Sequence, residues 1–167
     1  MGGLSQVMSA QDPTAGLTDQ ERADFWFNRK HKKIPYLGHR LAFRLTGGRL
    51  GGSRRGVTCG LLTTTGRRSG RARTVPIMYL ADGDRFLVVA ANSGFDPAPA
   101  WYLNLLADPS ATLRTARATF DVVARELTPD ERDASWEKVV RFNPLYGAFQ
   151  ACTDRTIAVL SLTRRVP

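Results

Sequence analysis

Residues 57–91 read VTCGLLTTTGRRSGRARTVPIMYLADGDRFLVVAA, three runs of apolar and β-branched residues separated by two short polar connections that carry glycine. Val57–Thr65 reads as a strand, Gly66–Gly70 as its turn and Thr74–Ala81 as its partner. Asp82-Gly83-Asp84 is a tight turn, and Arg85–Ala91 is a third strand. Strands joined by connections this short must run antiparallel. Downstream, Pro99 suits the first turn of a short helix through Leu106, and Asp108-Pro109 ends it. Ala111–Arg114 and Thr119–Leu127 read as two more strands. Thr128-Pro129-Asp130-Glu131 combines a cap, a proline at the first helical position and a glutamate three residues on, and predicts a helix to about Phe142. Asn143-Pro144 interrupts it, Leu145–Thr153 resumes as a short helix, and Thr156–Leu162 is a closing strand. An antiparallel sheet of about six strands with short helices between them curls and closes, because closure removes exposed edges. The expected fold is therefore mainly β within an α+β chain, a small barrel with peripheral helices.

Upstream of the barrel the pattern is helical. Thr18-Asp19-Gln20-Glu21 has capping-box spacing and starts a helix that carries Phe25, Trp26 and Phe27 into the run Asn28-Arg29-Lys30-His31-Lys32-Lys33, where Pro35 stops it. A second short helix places Leu37, Leu41 and Leu45 on one face and Arg40 and Arg44 together elsewhere. Such a basic amphipathic segment packs on its own domain or lies on a membrane surface. Glycines 47–52 then break the helical pattern. The expected organisation is a disordered leader over 1–16, a basic helical extension over 17–52 and the barrel over 53–167. The leader lacks the charged and apolar regions of a secretory signal, and no stretch approaches the ~20 apolar residues of a membrane span. A cytoplasmic location is expected, with peripheral contact on the cytoplasmic membrane face.

A chain of 167 residues with 43% hydrophobic content holds one core. Lysine and arginine outnumber aspartate and glutamate by 24 to 15, a formal charge of +9 that suits nucleic acid, acidic lipid or a phosphorylated ligand. Cys59 and Cys152 form no CxxC pair, and His31 and His39 sit among cations without a carboxylate cluster, so no metal is expected. Neither GxGxxG between strand and helix nor GxxxxGK[ST] is present, and no Ser-His-Asp, Cys-His or paired-carboxylate arrangement offers hydrolytic machinery. Any catalysis then depends on a cofactor.

Three segments concentrate the chemistry. The first is the hairpin tip 61–76, with four arginines among hydroxyls and glycines whose backbone N–H groups can approach an anion. Aromatics are not interleaved with these charges, which argues against nucleic acid. The second is Val89–Gly94 followed by Pro99–Leu106, a strand end and a helix N-terminus that close the same pocket from another side. The third, Asn143–Gln150, offers the Tyr146 phenol to a carbonyl or nitro oxygen.

In this order, LLTTTGRRSGRARTVPIMYLADGDRFLVVAA, PAWYLNLLADP and NPLYGAFQACTDRTI resemble the deazaflavin-dependent nitroreductase family, actinobacterial split-barrel oxidoreductases that use coenzyme F420. The resemblance spans about Phe25 to Thr163. It implies a split β-barrel of the kind that also binds FMN, and hydride transfer from reduced coenzyme to a quinone or another electron-poor acceptor, with nitroaromatics as side substrates. It places the anionic end of the coenzyme on Arg68 and Arg73 beside Ser69 and Gly70. Thr65, Val75, Pro76 and Ile77 would line the deazaflavin side, and Asn92, Ser93, Gly94, Trp101 and Asn104 would complete the pocket. Tyr146 matches a family tyrosine that faces the acceptor and is the candidate catalytic residue. Here the loop reads Ala91-Asn92-Ser93-Gly94 where the family often has serine and a glycine pair, and Asn143 and Phe149 flank Tyr146 where nitroreductases carry more tyrosine. Members with this N-terminal extension look like membrane-associated quinone reductases. The expected state is a monomer or homodimer, and the rival readings are a non-catalytic coenzyme carrier, a basic nucleic-acid module and an FMN enzyme.

Overall fold

The computed structural model describes residues 12–30, 53–54 and 57–165. The expected second helix over 37–45, the glycine-rich stretch 47–52 and the first eleven residues of the expected leader lie outside the described residues. Residues 12–16 form a turn in which the Thr14 hydroxyl donates to Asp12 Oδ1 at 2.7 Å, and Thr14 is buried.

The described elements are helix α1 (Asp19–Lys30), strands β1 (Ser53–Arg54), β2 (Val57–Thr65), β3 (Ala72–Asp82) and β4 (Arg85–Val89), a 3₁₀ turn (Asn92–Gly94), helix α2 (Ala100–Ala107), strands β5 (Ser110–Arg114) and β6 (Thr119–Glu126), helices α3 (Pro129–Phe142) and α4 (Leu145–Gln150), and strand β7 (Val159–Arg164). Strands run in the order β1-β2-β3-β4-β7-β6-β5, and β5 pairs back onto β2. The six strands β2–β7 thus form a closed antiparallel barrel, as the sequence predicts.

Period-two alternation divides the strand residues between two cores. Leu62, Ile77, Tyr79, Phe86, Val88, Leu113, Val122, Leu160 and Leu162 fill the barrel, while Leu87, Val89, Val159 and Ile157 face outward onto α1, α3 and α4 with Phe25, Val139, Leu145, Tyr146 and Phe149. This is why β4 and β7 read as nearly unbroken apolar runs, whereas β6, exposed on one side, alternates. Phe25 is fully buried and its ring lies 5.4 Å from that of Phe149. Removing that ring is expected to cost about 3–5 kcal/mol.

Both helix starts read from the sequence are reciprocal caps. The Thr18 and Thr128 N–H groups donate to Glu21 and Glu131 at 2.8 and 2.9 Å, and the glutamate N–H groups return to the threonine hydroxyls. Element limits differ where side chains from far along the chain take the backbone groups. The third strand, expected to Ala91, ends at Val89 because the carbonyls of Ala90 and Ala91 accept from Arg155. The closing strand, expected from Thr156, starts at Val159. The Ile157 N–H donates to Gln150 Oε1 at 2.8 Å and the Ile157 carbonyl accepts from Arg132.

Candidate functional site

The β2–β3 connection turns within five residues. Gly66 N–H donates to the Arg71 carbonyl at 2.9 Å and Gly70 N–H to the Gly66 carbonyl at 2.7 Å, with Gly70 at φ +64°, where a side chain would be strained. The turn projects Arg67, Arg68, Arg71 and Arg73, all exposed. Among the described residues none of the four stands in an ion pair, whereas Arg85, Arg125, Arg132, Arg141 and Arg155 each do.

Beside the tip, α2 closes a cleft of about 520 Å³ whose wall includes Gly66, Arg67, Arg68, Ser69, Arg73, Val75, Ala100, Trp101 and Asn104. Two contacts hold the walls together. Asn104 is buried; its Nδ2 donates to Thr64 Oγ1 at 3.1 Å, and its Oδ1 accepts from the Arg67 backbone N–H at 3.2 Å. Arg73 Nη2 donates to Ser69 Oγ at 3.3 Å, drawing its guanidinium along the turn. A concave surface with arginine on one side and an indole on the other suits a ligand that joins an anionic part to an aromatic part.

The structure therefore gathers Arg68, Ser69, Arg73, Val75, Trp101 and Asn104 of the residues expected from the sequence. Asn104, expected as a pocket contact, spends both ends of its amide on the protein. Thr65 and Gly70 open onto a second groove of about 320 Å³ that is lined also by Ser110, Thr112, Asp121 and Arg165. The Ser110 N–H, and after it the Thr65 hydroxyl, hold the Asp108 carboxyl below its usual range. Ile77 is only 8% exposed and packs inside the barrel; by alternation Val75 and Ile77 share the inner face and Pro76 lies on the outer one, and of the three only Val75 lines the arginine cleft.

Asn92, Ser93 and Gly94 are bound into the framework. Asn92 Nδ2 donates to the Pro97 carbonyl at 2.6 Å and to that of Phe95 at 3.2 Å. The Ser93 carbonyl accepts from Arg29 Nη1 at 2.8 Å. A Cβ at Gly94 would stand 2.7 Å from the Phe149 carbonyl oxygen. None of the three lines the arginine cleft. Nor does Tyr146, which is 6% exposed in the outer core with its hydroxyl against the Asn143 side chain; burial pushes its phenol far up and keeps it neutral. Asn143 in turn donates to Met78 Sδ at 3.3 Å, which ties this helix entry to the outer face of β3.

Arg29, Arg155, Thr64 and the framework role of Asn104 were missed by sequence reasoning. Arg29 and Arg155 bond to backbone carbonyls about sixty residues away, a relation with no local signal. Among the described residues no group of three or more histidine, cysteine or acidic side chains could hold a metal ion, and no helix is long and apolar enough to cross a membrane.

Residues 38–164 match the family model described as F420H(2)-dependent quinone reductase. An F420H(2)-dependent quinone reductase of Mycobacterium tuberculosis is 36% identical over 145 residues, covering 84% of this chain and 97% of that protein. A solved structure of an F420-H2 dependent reductase is 35% identical with a TM-score of 0.58, covering 62% of this chain and 92% of its own. Another, described as a domain-swapped dimer, is 32% identical with a TM-score of 0.60 over 75% of this chain and 96% of its own. With this barrel and this match along most of its length, the chain belongs to the F420H(2)-dependent quinone reductase family of oxidoreductases.

Proposed function

We propose that this chain binds reduced coenzyme F420 in the cleft between the β2–β3 tip and α2 and reduces a quinone or a similar electron-poor conjugated acceptor, with nitroaromatics as side substrates. The observation that carries this reading is the set of four exposed arginines at one turn, free of ion pairs among the described residues and beside an aromatic wall. Phosphate and the carboxylates of an oligoglutamate tail fit that donor set, because guanidinium groups offer paired N–H donors in the plane such anions accept. Arg68 and Arg73 are the principal anion contacts, with Ser69 and the Gly70 backbone beside them. When bound, the coenzyme supplies the hydride from ring carbon five. Trp101 and Val75 give the cleft an apolar side that excludes water, and Asn104 holds the arginine turn in place. Tyr146 is assigned to the acceptor side as a neutral hydrogen-bond donor, a state its burial favours.

The same reading extends to a lipid surface, where a prenylated quinone would be met. It is supported by Trp26, 54% exposed on α1, and by the basic run that begins at Lys30. Co-sedimentation with anionic vesicles that is lost in high salt is the expected result.

The deciding experiment mixes the purified chain with chemically reduced coenzyme and a menaquinone analogue and follows the return of the oxidised coenzyme's visible absorbance against a protein-free control. Protein-dependent oxidation is expected, and charge reversal at Arg68 and Arg73 should weaken coenzyme binding by more than tenfold. Binding without oxidation by any acceptor would make the chain a carrier. A yellow purified protein would point to FMN, and absence of coenzyme binding would overturn the proposal.

A further inference from the structure

Helix α1 precedes residues 38–164, the part that the family model matches, yet its last turn is tied to the 3₁₀ turn that comes before α2. Arg29 holds the Ser93 carbonyl at 2.8 Å, and its guanidinium lies 4.1 Å from the centre of the Phe95 ring and 5.7 Å from that of Phe25. It grips a turn in which Asn92, Ser93 and Gly94 have φ of +49°, +55° and +71°. Glycine and asparagine adopt this conformation readily, whereas a serine holds it only where the surroundings impose it. On the same segment, Arg155 Nη2 donates to the Ala91 carbonyl at 2.8 Å and the Ala90 carbonyl at 3.1 Å. Only Phe95–Pro99 separates the turn from α2, whose Ala100, Trp101 and Asn104 line the cleft.

We propose that Arg29 is a positioning residue for the coenzyme cleft: by fixing Ser93 and Phe95 it sets where α2 begins and so where Trp101 stands in the cleft. The inference rests on the coenzyme reading above and makes α1 a working part of the binding site. Neither Arg29 nor any other α1 residue lines the cleft, so the influence passes through the turn. A planar guanidinium suits the task, since it donates in its plane while its face rests on Phe95.

The test compares the full chain with Arg29→Ala and Arg29→Lys by thermal unfolding, by equilibrium dialysis against coenzyme F420 read from its absorbance, and by kcat and KM with reduced coenzyme and a menaquinone analogue. At a temperature where each protein is fully folded, Arg29→Ala is expected to raise the coenzyme Kd and KM about tenfold, the equivalent of one charge-assisted hydrogen bond. Its kcat should fall less than about twofold. Sub-denaturing guanidinium should restore affinity by refilling the vacated site, which a general loss of stability would not allow. Parental Kd and KM in the folded variant, or weakened binding that guanidinium leaves unchanged, would overturn the proposal. Should Arg29→Ala not fold, Arg29→Lys decides: weaker coenzyme binding supports the role and parental binding refutes it. If the parent chain itself binds no coenzyme, the coenzyme reading fails and this inference falls with it; if the parent binds and the folded Arg29 variants bind equally well, only the inference fails.

Discussion

Replacing Asn104 tests whether the arginine turn is held in place from α2. The buried amide bridges Thr64 Oγ1 at 3.1 Å and the Arg67 N–H at 3.2 Å, so Asn104→Ala removes these two hydrogen bonds at once, together with the longer one from Arg67 Nη1 to Oδ1 at 3.5 Å. Each of the two shorter bonds is worth about 1 kcal/mol net, and because the adjoining cleft admits water to the orphaned groups we expect the low end of the possible loss, about 2 kcal/mol. For a chain of this size that corresponds to a fall in Tm of about 4–8 °C. Asn104→Asp separates geometry from charge: its two oxygens can accept from Arg67 and from the rotatable Thr64 hydroxyl, so the bridge survives, while a carboxylate now sits beside the tip arginines. Coenzyme affinity should fall in both variants, through a loosened turn in Asn104→Ala and through competition for the arginines in Asn104→Asp. Thermal and urea unfolding together with coenzyme dialysis supply the readings. A stability loss below about 0.5 kcal/mol in Asn104→Ala would show the bridge to be ornamental. Normal coenzyme affinity in the destabilised Asn104→Ala would show that the turn needs no such support.

Three further predictions concern other parts of the molecule. Tyr146→Phe is expected to lower kcat more than coenzyme affinity if the phenol serves the acceptor; equal losses in stopped-flow turnover and dialysis would refute that role. Gly94→Ala should destabilise by more than about 3 kcal/mol, because it combines a φ of +71° with a Cβ 2.7 Å from the Phe149 carbonyl oxygen, whereas Gly70→Ala at φ +64° meets no atom within 4 Å and should cost only about 1–2 kcal/mol; urea titration distinguishes them. Glu131, held by Arg125 and the Thr128 N–H at a pKa of about 2 against an ordinary 4.5, contributes stability that is present above the ordinary value and is lost as pH falls toward 2. The stability gap between the parent and Glu131→Gln, measured by urea titration, should therefore be open at pH 7 and narrow steadily below pH 4.5.

The parts of the fold legible in the sequence are those decided by neighbours. Thr18 and Thr128 announce α1 and α3 because a capping box is a four-residue affair, and the short turns after Thr65 and Asp82 dictate antiparallel pairing of β2, β3 and β4. The arginine turn was legible for the same reason, since its donors lie within seven residues. What could not be read depends on partners brought together by folding. Arg155 cuts short β4 and Gln150 delays β7, each through bonds to backbone that no local pattern foretells. Tyr146 looks available in the sequence and is buried in the structure because α4 lays it against the outer face of β4 and β7. The sidedness of Val75, Pro76 and Ile77 was within reach, since strand alternation alone assigns the middle residue to the opposite face.

The placing of β7 between β4 and β6 has a consequence for biogenesis. Until residues 159–164 have been synthesised and inserted, β4 and β6 each present a row of unpaired amides and carbonyls, and the apolar barrel lining of Phe86, Val88 and Val122 has no cover on that side. A nascent or truncated chain is thus a sheet with two sticky borders, open to a strand from another copy. The last strand works as a latch, and the interval before it closes is when this molecule is most exposed to mispairing.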